Sequence, residues 1–384
     1  MMKKALLLDT SFSAKPIYDY LVKTGIEVFV VGANPHDSLA KSVKNYINLD
    51  YSKTDDINIL LKSMAIDYII PGGNDFSYKI SSELNVSDDF YNIDSVEVNE
   101  IINNKEKFRK FATSLNLHIP KIVKAEDINN SLPVIIKPVD GYSGHGITVI
   151  FELDKDKIDN AITNALKFSK LKSYIIEEYA QGQLYSHSAF ISNGKIMIDF
   201  IVKEYSTANQ YVVDTSYVIN DFAKDILNQI RLDISLIIEK LDLCDGLIHT
   251  QFIYNGSSFW LIEITRRCPG DLYSQLIKFS TGFPYAEYYS RPFLNKKNKF
   301  NNIEINNKSV IRHTISLENE GFFNSLSIDY PINILKYVPL ALAGDRIKES
   351  PFGRIGLLFF DCELESDFNY LLKNTIDRKL FLIN

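Results

Sequence analysis

Short apolar runs alternate with segments of helical spacing over the first part of the chain. Residues 5–8 (ALLL) predict a buried parallel strand. Residues 16–23 predict a helix ended by Thr24-Gly25, and residues 27–31 a second strand closed by Gly32. Residues 55–64 have helical spacing, and residues 67–70 predict another buried strand, stopped by Pro71-Gly72-Gly73. Strands that alternate with helices imply a parallel sheet with helices on its faces. Residues 103–116 predict a helix with Phe108, Phe111, Ala112 and Leu115 on one face and Asn103 or Asn104 as its cap. Lys105 falls in its first turn, off that stripe. Residues 225–243 are the clearest amphipathic helix, with Ile226, Ile230, Ile234, Ile237, Ile238 and Leu241 at core spacing.

The β-type patterns lie between and after these helices. Residues 132–150 (LPVIIKPVDGYSGHGITVI) read as strand, lysine, glycine-rich loop and strand. Residues 175–182 (IIEEYAQG) read as a strand running into a loop, and adjacent carboxylates on a strand face opposite ways. Gly194 marks a hairpin between strands at 188–191 and 195–202, ended by Lys203. Strands at 247–253 and 259–265 flank a turn containing Asn255-Gly256. A two-residue turn there would separate Gln251 from Glu263; a three-residue loop or a bulge would bring them to one side. Beyond about residue 300 the pattern predicts strands and loops, with no helix and no chemical motif.

Composition narrows the class. The chain has 384 residues, 46% hydrophobic and 23% charged, with a net charge of −6 and no basic block, which argues against nucleic acid as a partner. No apolar run reaches membrane-spanning length. The N-terminal MMKKALLLDT is basic then apolar, but its apolar part stops at Asp9, so a buried strand is expected rather than a signal segment. Cys244, Cys268 and Cys362 have no metal spacing, and the expectation is reduced thiols in a cytoplasmic protein. The first turn, residues 9–14, contains no glycine, so no dinucleotide fingerprint is present.

The candidate chemistry begins at Lys137. Gly141, Gly144 and Gly146 permit a loop whose N–H groups can face an anion, and Lys137 sets a positive charge beside them, as a nucleoside triphosphate requires. This is not the Walker pattern, because the lysine precedes the loop. Gln251 and Glu263 offer oxygens of the kind Mg2+ takes, and Thr265 a third. Arg266 and Arg267 follow at once, then a Pro-Gly loop.

Taken in order, these stretches resemble an ATP-grasp enzyme. They are the lysine of NNKEKFRKFATSLNLHIP, the loop of IIKPVDGYSGHG, the carboxylates of IIEEYAQG, and the pair GLIHTQFI and FWLIEITRR. The resemblance implies an α/β (α+β) fold: an N-terminal parallel α/β domain (1–98), an ATP-grasp domain (99–300) with a mobile lid (about 118–178), and a C-terminal extension (301–384) packed on the core. It implies that Lys105 and Lys137 touch the phosphates, and that Gly141, Ser143, Gly144, His145 and Gly146 close over them. Glu177 would lie near the adenine amino group, with Glu178, Tyr179 and Ala180 along the adenine edge. Gln183 and Lys203 complete the nucleotide set. Gln251, Glu263 and Thr265 would hold Mg2+ or Mn2+. Arg267 would act with Lys137 and Glu263 in catalysis, and Arg266, Arg267, Gly270 and Asp271 would meet substrate. Gln251 stands where many members have glutamate, Thr265 where most have asparagine, and Gln183-Leu184 where many have a carboxylate. The implied activity is ATP-dependent ligation of a small carboxylate to an amine through an acyl phosphate, by a homodimer. The alternatives are a bicarbonate-activating carboxylase or carbamoyl-phosphate-type enzyme, and a nucleotide-binding regulator without turnover.

Overall fold

A computed structural model describes residues 2–384 apart from residues 142, 143, 302 and 363. Strands β1 (Lys4–Leu8), β2 (Glu27–Gly32), β3 (Tyr46–Asn48) and β4 (Tyr68–Pro71) form a parallel sheet in the order β3-β2-β1-β4. Ala5, Leu6, Leu7 and Leu8 are all buried, as a strand covered on both faces requires. The connecting helices include Lys15–Lys23, with proline in its first turn, and Thr54–Met64. The carboxylate of Asp9 accepts hydrogen bonds from the N–H groups of Ser11 and Gly73, both at 2.8 Å, and so ties together the loops after β1 and β4. Helix Asp75–Leu84 follows directly, capped by the Asn74 side chain.

A small antiparallel sheet, in the order β6-β5-β7, comprises β5 (Val134–Pro138), β6 (Thr148–Ile150) and β7 (Tyr174–Glu178). It shares a separate core with helix Lys155–Phe168, built from Val134, Ile136, Ile150, Ala161, Ala165 and Ile176.

The large sheet is antiparallel. It contains β8 (Gln183–Ser192), β9 (Lys195–Tyr205), β10 (Thr215–Ile219), β11 (Gly246–Tyr254), β12 (Phe259–Thr265) and β13 (Ile311–Ile315), in the order β12-β11-β8-β9-β10-β13. On one face helix Lys224–Lys240 buries Ile230, Ile234, Ile237 and Ile238 in a core shared with Phe252, Leu261 and the Phe108 and Ala112 stripe of helix Lys105–Ser114. Phe190 and Phe200 belong to a second core, continuous with that of the parallel sheet.

The C-terminal segment differs from expectation. It does not simply pack on the core: strands Gly356–Asp361 and Asn333–Pro339 extend the large sheet beyond β13. It also carries a helix, Phe368–Ile376, whose Leu371, Leu372 and Thr375 are buried against that extension. The sequence reading missed this helix because its apolar stripe is only a few residues wide.

Candidate active site

The helix that starts at Lys105 is capped by Asn104, whose side chain accepts from the Lys107 N–H. This fixes Lys105 in the first turn, where its backbone N–H meets the Val139 carbonyl at 2.9 Å. The Lys105 ammonium donates to the Gly141 carbonyl at 2.7 Å and lies 3.0 Å from Glu263 Oε1. One cation thus joins the glycine loop to the end of β12.

Lys137, on β5, is buried, with its ammonium 2.6 Å from Glu177 Oε2. Arg109 is also fully buried, its Nε 2.8 Å from Glu177 Oε1 and its Nη2 donating to the Ile262 carbonyl at 2.8 Å. Strand alternation turns Glu177 inward and leaves Glu178 half-exposed near Lys121. Two cations therefore share one carboxylate, which leaves a surplus positive charge. Burial lowers the Lys137 pKa, with Arg109 and Lys105 adding repulsion against the attraction of Glu177. Burial pushes the Glu177 pKa up, but Lys137 and Arg109 outweigh it and hold the carboxyl below its ordinary value. Arg109 was missed from sequence, although it stands four residues after Lys105 and so shares its helix face.

Gln251 is paired directly with Glu263. The loop at residues 255–258 is longer than the three residues considered, and a bulge between Gln251 and Phe252 restores the register. The Gln251 amide donates from Nε2 to Glu204 Oε2 at 2.8 Å, which turns its Oε1 away from that carboxylate. Glu204 is buried on β9, also receives the Tyr273 hydroxyl at 2.5 Å, and is pushed up to about 7 by burial. Surrounding protein pushes the Glu263 pKa up, but Lys105 outweighs this and the carboxyl stays below its ordinary value. Its side chain is nevertheless 48% exposed, open to the cleft.

Thr265 donates its hydroxyl to Asp75 Oδ1 at 2.8 Å, so its first commitment is to the parallel-sheet half rather than to a metal. Arg267 grips the same Asp75 with two bonds, Nε to Oδ1 at 2.9 Å and Nη2 to Oδ2 at 3.0 Å. Arg266 must be removed from the substrate set. It is buried, 2.6 Å from Asp94 Oδ2, and donates to the carbonyls of Leu247 and Cys244, because consecutive residues at a strand end point opposite ways. Lys203 is corrected for the same reason. It pairs with Tyr185 and Tyr217 and lies over the rings of Tyr185 and Tyr205, on the face opposite to its neighbour Glu204.

Gly270 packs on the loop after β4: a Cβ there would lie 2.7 Å from the Gly73 carbonyl oxygen. Asp271 lies 3.4 Å from Arg312 on β13, a buried arginine that also takes the Asp271 carbonyl at 2.7 Å. In the glycine loop, Gly144 and Gly146 have φ of +72° and +73°, which a side chain would strain. His145 stacks on Phe352 at 5.0 Å between ring centres; Ser143 lies outside the described residues. The Tyr179 N–H donates to the Pro133 carbonyl at 3.0 Å, and Ala180 is partly exposed. The Gln183 amide donates to the backbone carbonyls of Leu184 and Glu204, so its N–H groups are engaged by the main chain.

Residues 130–275 match the family described as the ATP-grasp domain. This stretch is an ATP-grasp domain. The chain is 23% identical over 273 residues to a D-alanine--D-alanine ligase of Fusobacterium nucleatum, covering 69% of this chain and 85% of that protein. Among solved structures it resembles an L-amino acid ligase from Bacillus licheniformis, with a TM-score of 0.82 at 13% identity over 100% of this chain and 98% of that one. It also resembles the biotin carboxylase domain of a 2-oxoglutarate carboxylase from Hydrogenobacter thermophilus, a complex with MgADP, ADP and bicarbonate. There the TM-score is 0.76 at 13% identity, over 100% of this chain and 91% of that one. The matched stretch begins just before β5 and ends just past the Arg267 loop, so Lys105, Arg109 and Asp75 lie outside it. No helix among the described residues is long and apolar enough to cross a membrane.

Proposed function

We propose that this protein is an ATP-dependent ligase: it activates a carboxylate as an acyl phosphate, releases ADP, and joins the acyl group to an amine. The observation that carries this reading is the position of Lys105, bonded to Gly141 of the glycine loop and ion-paired with Glu263 of the metal hairpin. Phosphoryl transfer asks mainly for charge neutralisation and in-line placement. Lys105, Lys137 and the surplus charge of Arg109 supply the cationic wall, and the loop around Gly144 and Gly146 excludes water that would hydrolyse an acyl phosphate. The backbone of Glu178, Tyr179 and Ala180 takes the adenine edge in this reading.

The residues present fit a divalent cation. Glu263 offers a solvent-facing carboxylate, and Gln251, whose Nε2 is held by Glu204, offers its amide oxygen. Two protein oxygens would leave the rest of an octahedral shell to phosphate and water oxygens. Bound there, Mg2+ (or Mn2+, which takes the same oxygen ligands) would neutralise charge on the phosphates. Lys105 neutralises Glu263 when no ion is present. Arg267 stands over the same end of β12, held by Asp75, where it faces the transferred group or the acyl carboxylate.

The test is release of ADP and phosphate from Mg-ATP with a panel of amino acids as acceptors. Amino-acid-dependent release supports the ligase. Release with bicarbonate alone replaces it with a carboxylase, and tight ATP binding without turnover on any acceptor replaces it with a nucleotide-binding regulator.

A further inference from the structure

Arg354 stands at the entry to strand Gly356–Asp361. The N–H of its neighbour Ile355 donates to the Ile315 carbonyl at 2.8 Å, which sets Arg354 beside the end of β13. It is partly buried, yet among the described residues it makes no hydrogen bond and no close ion pair. Its charged neighbours are Asp271 and Arg312. Asp271 is already claimed by Arg312, which is itself buried and further satisfied by the hydroxyls of Ser216 at 3.2 Å and Thr314 at 2.9 Å. The three side chains therefore carry one positive charge in excess. Asp271 Oδ1, by contrast, is buried with no hydrogen-bond partner. An acceptor and a cation are both left unsatisfied in one place.

The same turn reaches the glycine loop. Phe352, two residues earlier, stacks on His145, and the Ser350 carbonyl accepts from Asn209. Arg354 is thus on the side of the cleft that the lid covers, next to the loop that carries Arg267. A cation taken out of water without a counter-charge is costly, and an arriving anion offsets that cost. Burial lowers the Arg354 pKa, in keeping with this desolvation.

We propose that Arg354 and Asp271 form a subsite for an amino acid or peptide end, Arg354 pairing with its free carboxylate and Asp271 Oδ1 accepting from its ammonium group. This rests on the ligase reading for its place in catalysis, but not for its chemistry. The C-terminal extension would then set substrate choice, since it brings the cation.

The test is calorimetric titration of the full chain, saturated with Mg-AMP-PNP, with each common amino acid, and separately with inorganic phosphate in Mg-ADP. For the best amino acid, Arg354→Met should weaken binding about tenfold or more and Arg354→Lys less, with AMP-PNP affinity within about twofold of the unaltered protein. Unchanged amino-acid affinity in Arg354→Met overturns the proposal. So does a tenfold loss of phosphate or AMP-PNP affinity, which assigns the cation to the phosphoryl group, and so does unaltered protein that binds AMP-PNP but no amino acid. Failure to bind AMP-PNP sinks the ligase reading instead; the amino-acid titration of the nucleotide-free protein then judges Arg354 alone.

Discussion

Arg267 and Asp75 are joined by two parallel bonds, Nε to Oδ1 at 2.9 Å and Nη2 to Oδ2 at 3.0 Å, across 192 residues of sequence. Asp75 opens a helix of the parallel-sheet half, and Arg267 lies two residues past the end of β12 in the large sheet. Burial pushes the Asp75 pKa up, but Arg267 outweighs it and holds the carboxyl below its ordinary value. The clamp fixes the guanidinium in one orientation beside the end of β12.

Asp75→Ala should therefore leave Arg267 loose. ADP release is expected to fall by about 10- to 100-fold while AMP-PNP affinity changes little, the pattern of a lost positioning contact. Steady-state kinetics beside a binding titration read both; an unchanged rate would remove the clamp from catalysis.

Lys137 and Arg109 share Glu177, and the two should separate by mutation. Lys137→Ala should weaken ATP binding by about tenfold yet cost modest stability, since Arg109 still neutralises Glu177. Arg109→Ala should be the more destabilising, by about 3 kcal/mol or more, because it also strips the Ile262 carbonyl of its donor. Denaturant midpoints and nucleotide titrations distinguish them; unchanged affinity in Lys137→Ala would place the phosphates elsewhere.

Glu263→Ala should abolish turnover, by about 100-fold or more, with the fold intact. Chelating divalent metal should weaken nucleotide binding in the unaltered protein but hardly at all in this variant, whose metal site is already lost. A variant that kept the full metal dependence would put the ion on other residues.

His313 predicts a pH effect on stability. It is buried, accepts or donates at 2.8 Å with Thr215, and burial brings its pKa down to about 4. An unfolded histidine titrates near 6.5, so below that pH the unfolded chain binds the extra proton first. Its contribution is complete above about pH 6.5 and is lost as pH falls toward 4, by about 2 kcal/mol at pH 5. Urea midpoints at pH 7 and pH 5 should show this loss, and His313→Gln should flatten it. An equal slope in the variant would assign the acid sensitivity to other groups.

The sequence determined the elements and the order of the chemistry. Apolar periodicity placed β1, β2, β4 and the long helix Lys224–Lys240 within a few residues, because burial of one face or of both leaves a repeat in the chain. The glycine loop and Lys137 stood out because backbone freedom is a local property; Lys105 entered only through the family resemblance, and whether Gln251 and Glu263 face the same way depended on a register the sequence left open. What tertiary structure alone decided was which charges meet. Glu204 lies 47 residues from Gln251 and Asp75 lies 192 from Arg267, and no local spacing encodes either contact. The bulge at Gln251 set a register that loop length left open, and strand-end alternation, once anchored to the Asp94 partner, sent Arg266 into the core and Arg267 into the cleft. The physical reason is that electrostatic partners are chosen in space: a carboxylate pairs with whichever cation the folded chain carries to it.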